Sequence, residues 1–334
     1  MERPALAISL GDPAGIGPEI IAEAWARREA EHLPPFFVVG GASILIAAAA
    51  SRGIKLQIAR IGDPAESVEA FASALPVLGN EDAAWYPGAP DRAGAAIAMT
   101  SLSTASKLAF ADVASGIVTG PIAKSRLAEL GFAYPGQTEF VAEVCGVNPD
   151  DAVMMLAGPQ LRTVPLTVHV SLASVPGLIT PELIIRKARI VAAAMRHDYG
   201  IIAPRLAIAA LNPHAGEDGL MGSEDLASIA PAIVALQTEG IAATGPHPAD
   251  ALFAPHNRSA FDVALCMYHD QALIPIKALD FDLGVNVTLG LPIVRTSPDH
   301  GTAFSIAGKH LANPGAMIAA IRMAGEVATR RAQA

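Results

Sequence analysis

Three histidines in this sequence directly follow runs of strand-forming residues. His169 ends Pro-Leu-Thr-Val-His, His214 lies in Leu211-Asn-Pro-His-Ala-Gly-Glu217, and His269 ends Ala-Leu-Cys-Met-Tyr-His ahead of Asp270. In open α/β sheets the carboxyl ends of the strands are where ligands bind. Three imidazoles converging at such an edge make a metal site with a position left open for a substrate oxygen. Asp270 is placed to orient one ring through its second nitrogen, or to add a carboxylate contact. One histidine at a strand end is ordinarily structural; the set of three points to a divalent metal. Imidazole suits zinc or cobalt, and oxygens from substrate and water admit magnesium.

A second group comprises Lys277, Asn286 and Arg295. The two cations sit inside apolar runs, Leu-Ile-Pro-Ile-Lys and Leu-Pro-Ile-Val-Arg, which argues against a purely solubilising role. Arginine offers a planar fork for carboxylate or phosphate, and lysine a point charge or an acid/base group. A third feature, Gly11-Asp-Pro-Ala-Gly-Ile-Gly-Pro-Glu19, lies between a strand and a helix as a phosphate-binding loop would. It matches neither the Walker nor the dinucleotide fingerprint. A tight strand-to-helix turn is an equal reading. A fourth, Asp299-His-Gly-Thr-Ala303 followed by Ala312-Asn-Pro314, is a small-residue loop that lets backbone N–H groups approach a flat ligand, or serves as a turn between helices.

Composition limits what these groups can serve. The 334 residues carry 23 Lys+Arg against 32 Asp+Glu, a net charge of −9. That balance argues against nucleic-acid binding, which needs a basic surface. An anionic substrate has to be held by a few placed cations. The apolar fraction is 52% and the mean hydropathy +0.40, yet the longest apolar stretch, residues 36–50, is short of the about 20 residues of a spanning helix and is divided by Gly40-Gly41. No signal-peptide pattern opens the sequence. With two cysteines, Cys145 and Cys266, there is no disulfide framework. We expect a cytoplasmic protein with no membrane partner.

The elements that must position these residues read as alternating strands and helices. Strands are expected at 5–10, 36–39, 116–119, 153–156, 164–170, 206–211, 263–268 and 285–289. Pro18 opens one helix, and Thr180-Pro-Glu182 opens another that runs to Tyr199-Gly200. The alternation predicts an α/β fold with a largely parallel sheet. The length fits two domains or one large one; with two, chain crossings at Gly120-Pro121 and Gly290-Leu-Pro292 divide the chain into α/β domains 1–120 plus 291–334, discontinuous, and 121–290.

Taken together, Gly11–Glu19, Asn212-Pro-His-Ala-Gly-Glu217, Tyr268-His-Asp-Gln271, Gly284-Val-Asn-Val-Thr-Leu-Gly-Leu-Pro292, Arg295-Thr-Ser and Asp299–Ala303 resemble the 4-hydroxythreonine-4-phosphate dehydrogenase family across essentially the whole chain. The resemblance implies an isocitrate/isopropylmalate dehydrogenase-like fold with an interdomain active-site cleft. It also implies a homodimer whose active sites are lined by both subunits, with metal ligands and dimer interface in the second domain. It implies NAD(P)-dependent oxidation of 4-phosphooxy-L-threonine to a β-keto acid that decarboxylates to 3-amino-2-oxopropyl phosphate, in pyridoxine phosphate biosynthesis.

Carried across, the metal ligands fall on His169, His214 and His269, and the substrate contacts on Gln137, Thr138, Lys277, Asn286 and Arg295. The adenosine half of NAD or NADP falls to His300, Gly301, Thr302 and Asn313. Lys277, Asp250 or Asp270 would accept the proton. In one departure, Gln137 stands where the family usually has histidine; glutamine hydrogen-bonds but carries no charge. The alternatives are a related dehydrogenase of a phosphorylated tetronate or a dihydrodiol acid and, more distantly, a phosphate acyltransferase.

Overall fold

The structure is a computed structural model and describes residues 3–333. The chain begins with β1 (Leu6–Ser9), α1 (Gly17–Ala26), β2 (Phe36–Val39), α2 (Ala42–Ser51), β3 (Ile58–Ile61), α3 (Ser67–Phe71), β4 (Leu75–Leu78), α4 (Arg92–Phe110), β5 (Ile117–Thr119), α5 (Lys124–Ala128) and α6 (Gln137–Val144). It continues through β6 (Val153–Ala157), β7 (Arg162–Pro165), α7 (Val175–Leu178), α8 (Pro181–His197), β8 (Arg205–Ala209), α9 (Ala230–Thr238), β9 (Ala242–His247), α10 (Ala249–Leu252), β10 (Val263–Cys266), α11 (His269–Asp280) and β11 (Val285–Leu289). Last come β12 (Arg295–Pro298) and α12 (Gly315–Arg331).

Two compact units result, one running to Pro149 and resuming at Leu291–Thr329, the other built on Asp150–Gly290. The first crossing therefore falls after Pro149 and not at Gly120. The reason is that α5 and α6 pack against α4 and stay with the first unit. The second crossing falls between Gly290 and Leu291.

In the first unit the strand order is β3-β4-β2-β1-β5-β12, every pair parallel. Every residue of β1 and β2 is buried, as befits strands covered on both faces. Phe36, Phe37, Leu6, Ile8, Ile44, Leu45, Leu102 and Ile117 form its fully buried centre. The second unit runs β11-β6-β7-β10-β8-β9, with β6 antiparallel to both its neighbours and the remaining pairs parallel. Leu156, Ala207, Ala264, Cys266, Ala272 and Ile276 belong to its core.

Helix α8 shows how local sequence sets an element. The Thr180 hydroxyl accepts from Leu183 N–H at 3.2 Å, Pro181 occupies the first turn, and Gly200 at φ +69° lies just beyond the end. Ile184, Ala188, Val191, Ala192 and Met195 make one buried stripe at helical spacing. The strand expected over 164–170 ends at Pro165. Beyond it Leu166 N–H donates to Cys266 O at 2.7 Å and the Thr167 hydroxyl to Met267 O at 2.8 Å, so a side chain replaces the ladder and frees the backbone to turn at His169. Among the described residues no helix is long and apolar enough to cross a membrane.

Candidate active site

In the second unit, the ends of β7 and β10 bring two of the three histidines together. The rings of His169 and His269 stand 5.8 Å apart between centroids. They line a cavity of about 290 Å³ with Thr167, Val170, Leu172, Val175, Tyr268 and Asp270. His169 takes a left-handed backbone at φ +52°, which turns it out of the strand direction. His269 is the first residue of α11, and its Nδ1 donates to Asp270 Oδ1 at 2.7 Å. That bond leaves Nε2 as the lone-pair nitrogen, the arrangement a metal-bound imidazole adopts. Behind this wall the Lys187 ammonium donates to Leu166 O at 2.9 Å, and burial holds its pKa below the usual lysine value.

His214 is placed differently. It begins a run of five left-handed residues, His214 to Asp218, with φ between 42° and 77°. Such a run costs on the order of 1 kcal/mol for each non-glycine residue and persists only where neighbours hold it. Asp225, fully buried, supplies that hold. Its carboxylate accepts from Leu211 N–H at 2.8 Å, Asn212 N–H at 3.2 Å and the Asn212 side-chain amide at 2.9 Å. The His214 side chain is left exposed, with Glu217 Oε2 at 3.8 Å from its Nδ1. Among the described residues, no three His, Cys, Asp or Glu side chains gather closely enough to hold a metal. The expected triad is thus a facing pair plus a third histidine presented on its own turn.

The first unit holds a buried arginine beside a helix N-terminus. Arg295 opens β12 and is only 4% exposed. Its guanidinium donates to Thr119 Oγ1 at 2.9 Å and to Thr138 Oγ1 at 3.3 Å. Burial pushes its pKa down to about 10, with the Glu139 carboxylate pulling the other way. It therefore remains charged at neutral pH. Gln137 and Thr138 are the first two residues of α6, whose unpaired N–H groups favour anions. The Gln137 side-chain amide donates to Gly120 O at 3.1 Å, and its Oε1 is buried without a partner among the described residues. Lys124 also faces this helix end: a Cβ on Gly136 would meet its Nζ at 3.6 Å. Sequence reading passed over Lys124 and Thr119, because neither lies in a motif.

Asn286 and Lys277 belong to the second unit. Asn286, on β11 opposite Leu156, is half-buried, with Oδ1 lacking a partner among the described residues. Lys277 is half-buried in the last turn of α11. Asp250 is exposed in the first turn of α10 and is not among the residues lining the histidine cavity.

The glycine-rich turn resolves in favour of packing. Its amides are taken by protein: Asp12 N–H by Pro121 O at 2.8 Å, Ala14 N–H by Asp12 Oδ1 at 3.0 Å, and Ile16 N–H by Thr302 O at 3.0 Å. A Cβ at Gly11 would sit 2.5 Å from Pro121 O, and one at Gly15 would sit 2.7 Å from Thr302 O. The turn is thus a platform for the 300–314 segment, with its amides turned to protein and not toward an anion. In that segment His300 Nδ1 contacts Gly301 O at 3.0 Å, while its buried Nε2 has no partner among the described residues. Nothing lies within 4 Å of a Cβ built on Gly301. Asn313, exposed, accepts through Oδ1 from Gly315 N–H at 2.9 Å at the start of α12. An orphaned buried nitrogen beside an open glycine suits an aromatic, hydrogen-bonding ligand such as adenosine.

The family model described as "Pyridoxal phosphate biosynthetic protein PdxA" matches residues 32–324. A protein of Erythrobacter litoralis strain HTCC2594 named 4-hydroxythreonine-4-phosphate dehydrogenase is 62% identical over 333 residues, covering 100% of this chain and 99% of its own. The chain belongs to this family. The 4-hydroxythreonine-4-phosphate dehydrogenases are oxidoreductases of pyridoxal phosphate biosynthesis, and their fold is the α/β arrangement found here. The crystal structure of the Klebsiella pneumoniae 4-hydroxythreonine-4-phosphate dehydrogenase matches with a TM-score of 0.86 at 35% identity, covering 98% of each chain. A terephthalate 1,2-cis-dihydrodiol dehydrogenase from Burkholderia xenovorans LB400 also matches, with a TM-score of 0.65 at 29% identity over 97% of this chain and 99% of its own.

Proposed function

We propose that the chain oxidises the C3 hydroxyl of 4-phosphooxy-L-threonine with NAD or NADP in the presence of a divalent metal, as a cytoplasmic homodimer. The nucleotide, when bound, would supply the acceptor for the C3 hydride, and the hydroxyl proton would pass to a protein base, giving 2-amino-3-oxo-4-phosphooxybutanoate. The new ketone accepts the electron pair released when the β-carboxylate departs as CO2, and the resulting enolate takes a proton at C2 to give 3-amino-2-oxopropyl phosphate. The observation that carries the metal-dependent reading is the His169–His269 pair, with Asp270 fixing the tautomer of His269.

His169, His269 and His214 would hold the metal, which when bound supplies a Lewis acid that lowers the pKa of the substrate hydroxyl. Zinc or cobalt suits the imidazoles and magnesium the oxygen ligands. Arg295, with Thr119 at the end of β5 and Thr138 at the start of α6, binds the substrate anion, and Asn286 orients it. Asp270 is engaged with His269 and acts through it. Asp250 is exposed and Lys277 half-buried, so we assign proton transfer to Lys277. His300, Gly301, Thr302 and Asn313 receive the nucleotide.

Because His214 stands apart from the facing pair, a second copy of the chain is the natural source of the third imidazole. Leu220, Met221, Leu226 and Val234, exposed on the following segment, supply apolar surface for such a contact. Absorbance growth at 340 nm with 4-phosphooxy-L-threonine tests the reaction. The reading predicts loss of signal on chelation and recovery with added metal; chelator-resistant turnover refutes the metal. Mixing inactive His214→Ala and His269→Ala subunits tests the shared site, because exchange regenerates an intact set. Mixtures that stay inactive while forming dimers rule out sharing.

A further inference from the structure

The first turn of α1 contains a carboxylate that the proposed chemistry does not use. Glu19 is completely buried. Its Oε2 accepts from Gly308 N–H at 2.9 Å, and its Oε1 lies 3.7 Å from Arg52 Nη1. The Arg52 side chain, at the end of α2, is itself mostly buried; it pairs with Glu23 and donates to Ala312 O at 3.1 Å. Three residues before Glu19, Ile16 N–H holds Thr302 O at 3.0 Å. Thus one helical turn and one arginine grip the main chain of the 300–314 segment at Thr302, Gly308 and Ala312.

Buried charges are costly unless paired, and an apolar pair of similar volume would serve stability as well or better. A buried arginine held between Glu19 and Glu23, where its one backbone contact and that of Glu19 both go to the same segment, is suited to fixing that segment's shape. We propose that Glu19 and Arg52 are positioning residues for the dinucleotide, holding residues 300–313 in the conformation that receives its adenosine half. This rests on the nucleotide-binding reading given above. Neither residue touches the ligand; both act through the main chain at Gly308 and Ala312.

The test compares full-length wild type with Glu19→Ala, Glu19→Gln and Arg52→Met, using amide hydrogen exchange without nucleotide, direct NAD and NADP titration, and steady-state kinetics. Loss of a buried hydrogen-bonded charge predicts exchange at 300–314 faster by about tenfold in Glu19→Ala. The KM for the nucleotide should rise by a similar factor, while kcat at saturation and the KM for 4-phosphooxy-L-threonine stay within about twofold. Glu19→Gln keeps an acceptor for Gly308 N–H and should recover part of both effects. Arg52→Met should loosen residues 311–314 most. Should the alanine variant fail to fold, the glutamine and methionine variants carry the same comparison. Nucleotide binding by wild type with unchanged exchange and KM in the variants overturns the clasp alone, as does faster exchange spread equally over β1 and β2. A wild type that binds neither nucleotide overturns the nucleotide reading, and this role with it.

Discussion

Arg295 and Thr119 meet at 2.9 Å, guanidinium to hydroxyl, with the arginine almost wholly withdrawn from solvent. The second amino group reaches Thr138 at 3.3 Å, so one planar cation ties the end of β5 to the start of α6. A point charge on a flexible stem cannot span both. Arg295→Lys should therefore raise the KM for 4-phosphooxy-L-threonine about 10- to 100-fold, the worth of a charged hydrogen bond. The KM for the nucleotide should hardly move. Parallel rises in both constants would show a general distortion and not loss of substrate recognition.

The Asp270 carboxylate holds the His269 ring by its Nδ1. Asp270→Asn keeps the size but loses the charge that makes the imidazole a better donor. Metal affinity should fall about 10- to 100-fold, measured as metal retained after dialysis against graded chelator. Retention equal to wild type would mean that His269 is oriented by other means.

Asp225 accepts two backbone N–H groups and the Asn212 amide from a fully buried position. Asp225→Ala leaves those donors unsatisfied and should destabilise the protein by about 3 kcal/mol, seen in denaturant unfolding. The His214 turn should open first, as faster amide exchange over 211–222. A loss below about 0.5 kcal/mol would mean that the left-handed run is held elsewhere.

Asp262 takes hydrogen bonds and charge from Arg205, which hold its carboxyl pKa below the usual aspartate value. A carboxylate depressed in the folded state contributes stability above its unfolded pKa, near 4, and loses it as pH falls through the lower folded value. The contribution is therefore complete at neutral pH and fades only in acid. Asp262→Asn should lower stability at pH 7 and flatten the acid limb of the stability profile. An unchanged acid limb would count against the pair.

Much of the fold was legible because strands buried on both faces read as short apolar runs, as in β1, β2 and β10. Four strands escaped: β4 is a buried apolar run, Leu-Pro-Val-Leu, interrupted by a proline that argues against a strand, and the other three lacked the mark. β3 is partly exposed, β9 reads Ala-Ala-Thr-Gly-Pro-His, and β12 is a charged and hydroxylic Arg-Thr-Ser-Pro that earns its burial from tertiary partners. At the site, His169 and His269 were visible from their place after apolar runs. The separation of His214 was not, because it depends on a left-handed run braced by Asp225 from outside the motif. Thr119 and Glu19 were likewise silent: their meaning lies in contacts to Arg295 and Gly308, far away in sequence.

The glycine-rich turn carries a practical lesson for anyone scanning this protein by mutation. Gly11 and Gly15 have neighbouring carbonyl oxygens where a side chain would begin. Saturation mutagenesis should mark them among the least tolerant positions in the chain, on a par with true ligand-contacting residues. Their intolerance would report backbone clearance alone. On the nucleotide-binding reading proposed above, an effort to switch nucleotide preference that began at this turn would lose folding before it changed selectivity, and the productive library would be drawn from the open positions near Gly301.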